Sequence, residues 1–134
     1  MGQAASFDED RRQHFRLPTG IPVEYKFLTR EIGSPETGTV HSGVTRDLSG
    51  GGLLLRVKLS DKALVADLLT QKRIVGVKLG LPGGDPLPAL CRTIWLDRVS
   101  DGESDEYSLG LEFLTVTATD LDRLKSFVIG CYWP

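Results

Sequence analysis

Two arginines near the N-terminus have the spacing of an anion clamp. Arg12 and Arg16 are four residues apart in a polar segment, so in a helix their side chains lie on one face. A guanidinium group is a planar fork that binds phosphate through two hydrogen bonds and can also donate to the O6 and N7 edge of guanine. The alternative is a solvated basic face that neutralises the acidic residues 8–10.

A second candidate is the segment from Asp47 to Gly52, which contains three consecutive glycines. Glycines allow positive φ angles and a close approach of backbone N–H groups to a ligand. Asp47 and Ser49 are two residues apart, so in an extended chain they face the same side. The carboxylate can accept from a base N–H, and the hydroxyl can donate to a phosphate. The alternative is a tight turn capped by Asp47 and Ser49.

Composition limits the classes of function. The chain has 134 residues, of which 40% are hydrophobic and 25% are charged, as expected for one globular domain. A net charge of −2 and 7% aromatic residues argue against a DNA- or RNA-binding protein, including a small barrel that binds single strands. There is no secretory signal and no apolar run of membrane-spanning length, so we expect a cytoplasmic protein without membrane insertion.

The sequence offers no catalytic or metal constellation. Cys91, Cys131, His14 and His41 share no ligand spacing, so we expect no metal site and two reduced cysteines. Nucleophile-and-base patterns and cofactor fingerprints are also missing from the sequence. We therefore expect a binding protein that is not an enzyme and needs no cofactor.

Hydrophobic patterning predicts a mainly β fold. The predicted strands span residues 23–27, 39–46, 53–57, 74–81, 87–99 and 107–116. A short helix is predicted over residues 60–72 with Ser60 as its N-cap, and a C-terminal helix over residues 120–129 between Thr119 and Gly130. Six short strands with Gly/Pro turns favour a closed antiparallel barrel or a sandwich.

Taken together, the two motifs resemble those of the PilZ domain. Arg12 and Arg16 match an Arg-x-x-x-Arg motif before the barrel, and Asp47, Ser49 and Gly52 match an Asp-x-Ser-x-x-Gly motif between its second and third strands. The resemblance covers about residues 10–129 and includes the tryptophan-containing fifth strand. It implies a six-stranded antiparallel β-barrel of PilZ type, with a C-terminal helix and a short additional helix.

The resemblance also implies a function, because PilZ domains are bacterial receptors for cyclic di-GMP. It implies that the two motifs hold opposite sides of this ligand, and that Arg11 suits a stacked pair of ligand molecules. The ligand-binding residues implied are Arg11, Arg12, Arg16, Asp47, Ser49, Gly51 and Gly52. We expect ligand binding to change the conformation and so regulate a protein effector that the sequence does not identify.

Two further expectations complete this interpretation. The domain is expected to span residues 11–130, between a flexible N-terminal segment at residues 1–10 and a tail at residues 131–134. The alternative function is a PilZ-like adaptor that binds a protein partner and does not bind the nucleotide.

Overall fold

The computed structural model describes residues 20–29, 39–99 and 105–132. Several sequence predictions lie outside these described residues: the binding roles of Arg11, Arg12 and Arg16, and the flexible N-terminal segment 1–10. The second motif, all six predicted strands and both later helices lie within the described part.

Six strands form in the positions that the hydrophobic pattern predicts. They are β1 (Pro22–Thr29), β2 (His41–Leu48), β3 (Gly52–Lys58), β4 (Arg73–Leu79), β5 (Leu87–Arg98) and β6 (Glu106–Thr115). The largest difference concerns β2, which the sequence predicted to end at residue 46, just before Asp47. A β-bulge between Thr45 and Asp47 lets the strand continue through Asp47 to Leu48.

The strands close into an antiparallel barrel with the order β1-β2-β3-β6-β5-β4, in which β4 pairs back with β1. The predicted six-stranded barrel is therefore confirmed, and the sandwich is excluded. The alternation of buried and exposed side chains along β1 shows why the strands could be predicted from the sequence. Val23 and Tyr25 are buried while Glu24 between them is exposed, as the two-residue period of a strand requires.

Leucines from most of the strands fill the barrel. Leu48, Leu55, Leu79 and Leu109 are all fully buried, and each such side chain contributes about 2 kcal/mol by its removal from water. Cys91 is packed among them as a free thiol, and this burial raises its pKa to about 12. The pKa of Tyr25 is raised by the same loss of hydration.

The short helix α1 (Lys62–Leu69) follows β3. Its N-cap is Asp61, whose carboxylate accepts a hydrogen bond of 2.9 Å from the Ala63 N–H, so the predicted cap at Ser60 is wrong by one residue. The aspartate is the stronger cap here because its charge also faces the positive end of the helix dipole. Leu68 is fully buried and anchors α1 on the barrel.

The C-terminal helix α2 (Ala118–Tyr132) begins earlier and ends later than predicted. The Thr117 hydroxyl accepts from the Asp120 N–H at 3.2 Å, so Thr117 rather than Thr119 caps the helix. Gly130 lies inside α2 and not at its C-terminal end. The helix continues there because buried Leu124 and Val128 hold it on the barrel, which offsets the low helix propensity of glycine.

Three consecutive residues of α2 fasten it across one end of the barrel. Arg123 donates to the carbonyl of Asp85 in the β4–β5 turn, and Leu124 is fully buried. The methylene groups of Lys125 contact Gly50 in the β2–β3 turn. The helix therefore covers the end of the barrel at which the second motif lies.

Candidate ligand-binding site

The second motif starts on a strand whose direction is set by a buried leucine. Leu48 is 0% exposed and points into the core. Because neighbouring side chains in a strand face opposite sides, half-buried Asp47 lies on the outer face of the barrel. The apolar character of Leu48 is the signal in the sequence that this position orients the Asp47 carboxylate.

Ser49 closes the turn that follows. Its hydroxyl accepts hydrogen bonds of 3.2 Å from the N–H groups of both Gly51 and Gly52 and lies 3.3 Å from the Gly52 carbonyl. The Ser49 N–H donates to that same carbonyl at 2.9 Å. A single side chain thus organises the backbone from residue 49 to residue 52, as the capped-turn alternative described.

Gly52 is required by a close contact between strands. A Cβ atom on Gly52 would lie far inside van der Waals contact with the carbonyl oxygen of Leu111 on β6. Gly52 is paired with Glu112, and the N–H of Phe113 donates to the Gly51 carbonyl at 2.9 Å. The glycine therefore has a packing role that is independent of any ligand.

The three glycines of the turn do not use the positive φ angles that glycine allows. Gly50, Gly51 and Gly52 all have negative φ; in the described part, positive φ among glycines occurs at Gly83. The reason is that Ser49 closes the turn through its side chain, so the backbone needs no left-handed residue there. In this turn the N–H groups of Gly51 and Gly52 donate to the Ser49 hydroxyl.

A row of paired residues extends from Asp47 across the outer face. Asp47 pairs with Leu54, Leu54 with Gly110, and Gly110 with Trp95, which spans about 14 Å at the usual spacing of strands. The indole ring of Trp95 lies directly against Gly110, where no Cβ could fit. Trp95 therefore packs on the protein, and Gly110 is the residue that makes room for it.

A second row begins at the glycine turn and carries charge. Gly52 pairs with Glu112, which pairs with Arg92. Arg92 Nε lies 2.6 Å from Glu112 Oε1, and both side chains are more than 40% exposed. An exposed pair of this kind contributes at most about 1 kcal/mol, but it holds the Glu112 carboxylate away from the turn and partly neutralises it.

The start of the barrel is joined to the strand that carries Asp47. Buried Thr45 accepts from the Ile21 N–H through its hydroxyl at 3.1 Å, and its own N–H donates to the Ile21 carbonyl at 2.9 Å. Ile21 is thus held beside β2, two residues before Asp47. The residues that connect Ile21 to the first motif lie outside the described part of the chain, apart from Gly20.

A groove of about 480 Å³ lies on the opposite face, over β1, β4 and β5. Leu28, Val40 and Leu90 line it together with Lys26 and Lys78. None of the predicted ligand-binding residues among those described lies on it. In the same described residues there is no cluster of His, Cys, Asp and Glu that could hold a metal ion, and no helix long and apolar enough to cross a bilayer.

Known structures share this architecture. The PilZ domain of CeSA from a cellulose-synthesizing bacterium superposes with a TM-score of 0.54 at 20% identity, over 87% of this chain and 97% of that one. The Escherichia coli YcgR PilZ domain with cyclic di-GMP gives a TM-score of 0.54 at 15% identity, over 87% of each chain.

A longer protein is also similar in fold. The Bacillus subtilis inhibitor of motility MotI/DgrA gives a TM-score of 0.60 at 14% identity. The superposition covers 88% of this chain and 49% of that protein, so this chain spans about half of its length. No curated protein matches the sequence.

The sequence itself matches a family model. The model of the PilZ domain covers residues 10–130, which include both motifs and every strand of the barrel. With the closed barrel and the serine-closed turn between β2 and β3, this match leads to one conclusion: the chain belongs to the PilZ domain family.

Proposed function

We propose that this protein is a receptor for cyclic di-GMP that changes conformation on binding and thereby regulates a protein partner. The observation that carries the proposal is the family match over residues 10–130, which spans both motifs. The PilZ domain of Escherichia coli YcgR and the PlzA protein of Borreliella burgdorferi, both similar in fold, have been solved with cyclic di-GMP. No catalytic step is part of the proposal.

The turn would form the fixed side of the site. Asp47 lies on the outer face, where its carboxylate can accept from the N1–H and the amino group of a guanine. Ser49, Gly51 and Gly52 form a turn that is closed by its own hydrogen bonds, so little conformational entropy would be lost there on binding. The contribution of Ser49 is then largely to hold this turn in shape.

Arg11, Arg12 and Arg16 would form the other side. Arg16 is five residues before Ile21, so covalent geometry keeps their Cα atoms within about 18 Å. Ile21 is bonded to Thr45, two residues from Asp47, which supports an arrangement in which the arginine side chains reach the turn. Forked guanidinium donors match the two phosphates and the guanine edges of the ligand.

The change in conformation would follow from this division of the site. The turn is built into the barrel, whereas the arginines belong to the chain that precedes it. A ligand that bonds to both would fix their relative position and so alter the surface that a partner meets. Hydrogen exchange with and without ligand would detect this, as slower exchange in residues 10–20.

Isothermal titration with cyclic di-GMP tests the proposal. We expect Arg16→Ala and Asp47→Asn each to weaken binding by about tenfold or more, because each removes a hydrogen bond that involves a charged group. Arg98→Ala is the matched control, since Arg98 is an exposed arginine at the far end of β5. The stoichiometry tests Arg11: a pair of ligand molecules in the wild type should become a single one in Arg11→Ala.

An adaptor that binds only protein is the second candidate. The groove lined by Leu28, Val40 and Leu90 favours it, because an apolar surface of this kind is suited to a protein contact and lies away from the motif. Absence of heat in the wild-type titration would replace the receptor by this candidate, whereas equal affinity in Arg16→Ala would overturn the role of the first motif.

We further propose that residues 11–130 are the folded unit and that residues 1–10 and 131–134 flank it. A fragment of residues 11–130 should then melt within a few degrees of the full chain. A large loss of stability in this fragment would contradict the boundaries.

A further inference from the structure

A lysine from α2 lies on the glycine turn of the second motif. Lys125 Cγ and Cε are 3.6 and 3.7 Å from the position of a Cβ atom on Gly50. Both atoms border the space in which a side chain at Gly50 would begin, so the stem of Lys125 packs beside this residue. The ammonium nitrogen is one bond beyond Cε and is therefore close to the turn at Gly50.

The backbone that carries Lys125 is firmly held. Leu124, the residue before it, is 0% exposed, and Val128 one turn later is 2% exposed. Arg123 bonds to the Asp85 carbonyl on the opposite turn. A lysine on a fixed helix whose stem is already packed loses less side-chain entropy on binding a ligand than a lysine on a loop.

The charge of Lys125 is not used elsewhere in the described part of the chain. The ion pairs there join Arg92 to Glu112, Arg123 to Asp120 and Arg73 to Asp67, and Lys125 takes part in none of them. Its side chain is exposed. An ammonium group is a compact point charge with three donors, which suits a phosphate more than the planar edge of a base.

We infer that Lys125 is an additional ligand-binding residue, which contacts a phosphate of the cyclic dinucleotide held at residues 47–52. This inference rests on the proposed function and deepens it. It gives the site a cation that comes from the C-terminal helix and adds to those of the N-terminal arginines. It also makes α2 part of the site instead of only a cover for the barrel.

Titration of cyclic di-GMP into Lys125→Met, Lys125→Arg and wild type at low and high salt tests the inference. Methionine keeps most of the stem on Gly50 and removes the charge, so affinity should fall about fivefold at low salt. It should fall less at high salt, where the charge is screened. Arginine should restore the affinity. Lys78→Met is the matched control, since Lys78 is an exposed lysine on the opposite face.

The outcomes separate this inference from the proposed function. If the wild type does not bind cyclic di-GMP, both are overturned. If the wild type binds and Lys125→Met binds equally well, or loses no more affinity than Lys78→Met, the inference alone is overturned. A purely structural role is recognised by the melting temperature, which would fall together with affinity in Lys125→Met, whereas ligand contact leaves it unchanged.

Discussion

The carbonyl oxygen of Leu111 occupies the space in which a side chain at Gly52 would begin. The last residue of the second motif is thus fixed by strand packing before any ligand is considered. In PilZ-type barrels built this way, loss of function on changing this glycine can arise from the fold itself.

Gly52→Ala should therefore destabilise the protein by about 3 kcal/mol, because β3 and β6 must separate to admit the methyl group. Urea unfolding followed by circular dichroism measures this. Gly50→Ala in the same turn is the control: its Cβ would meet only Lys125, at an ordinary distance of 3.6 Å, so stability should change by less than about 0.5 kcal/mol. Equal effects of the two substitutions would refute the steric explanation.

Ser49→Ala should lower the free energy of unfolding by about 1–2 kcal/mol. The hydroxyl accepts from two backbone N–H groups, and without it the N–H of buried Gly52 would lose its partner. Amide exchange at Gly51 and Gly52, measured by NMR, should become faster. Ser49→Thr keeps the hydroxyl and should retain the turn, and Ser42→Ala on the exposed face of β2 should have little effect. Unchanged exchange in Ser49→Ala would show that the turn does not depend on this side chain.

Gly110→Ala should displace the indole ring of Trp95 from the outer face of the barrel. Fluorescence in a Trp133→Phe background isolates Trp95, and its emission should move to longer wavelength as the ring enters water. Gly50→Ala in the same background should leave the spectrum unchanged. An identical spectrum for Gly110→Ala would mean that the position of the Trp95 ring does not depend on the absence of a side chain at Gly110.

Alkaline pH should destabilise the protein through Cys91. Its pKa is raised from 9.0 in the unfolded chain to about 12 in the fold, so the folded state holds the proton more tightly. The resulting stability is complete below pH 9 and is lost as pH rises toward 12. Tyr25, whose pKa is also raised, adds to the loss above pH 10.

Melting temperatures between pH 7 and pH 11, in a Cys131→Ser background, test this. Cys91→Val removes the thiol and keeps an apolar side chain, so its melting temperature should decline less steeply above pH 9. Parallel curves for the two proteins would contradict the contribution of Cys91.

Local pattern was enough to predict the six strands, and the resemblance of the two motifs to the PilZ domain then favoured the barrel over the sandwich. The alternation of side chains along β1 and the Gly/Pro turns depend only on residues that are close together in the sequence. Six short strands joined in this way can be arranged as an antiparallel sheet in only a few ways. The predicted starts of the helices were less accurate, as at Asp61 and Thr117, because several polar residues near a helix start can each cap it.

The site was predictable only where it is local in sequence. The motif Asp47 to Gly52 is contiguous, so its role in a turn could be inferred from residue types. The contact of Gly52 with Leu111, and that of Gly50 with Lys125, join residues about 60 and 75 positions apart in the sequence. Such contacts depend on strand register and helix docking, which a single sequence does not encode in any short pattern.

The closure of the sheet restricts how any protein can recognise this domain. Each of the six described strands has a hydrogen-bonded neighbour on both sides, so these strands offer little open edge to a visiting strand. Recognition by β-strand addition is therefore disfavoured at the described strands. Specificity must come from side chains and from the segments that border the barrel, which can diversify without disturbing the hydrogen bonds that hold the fold together.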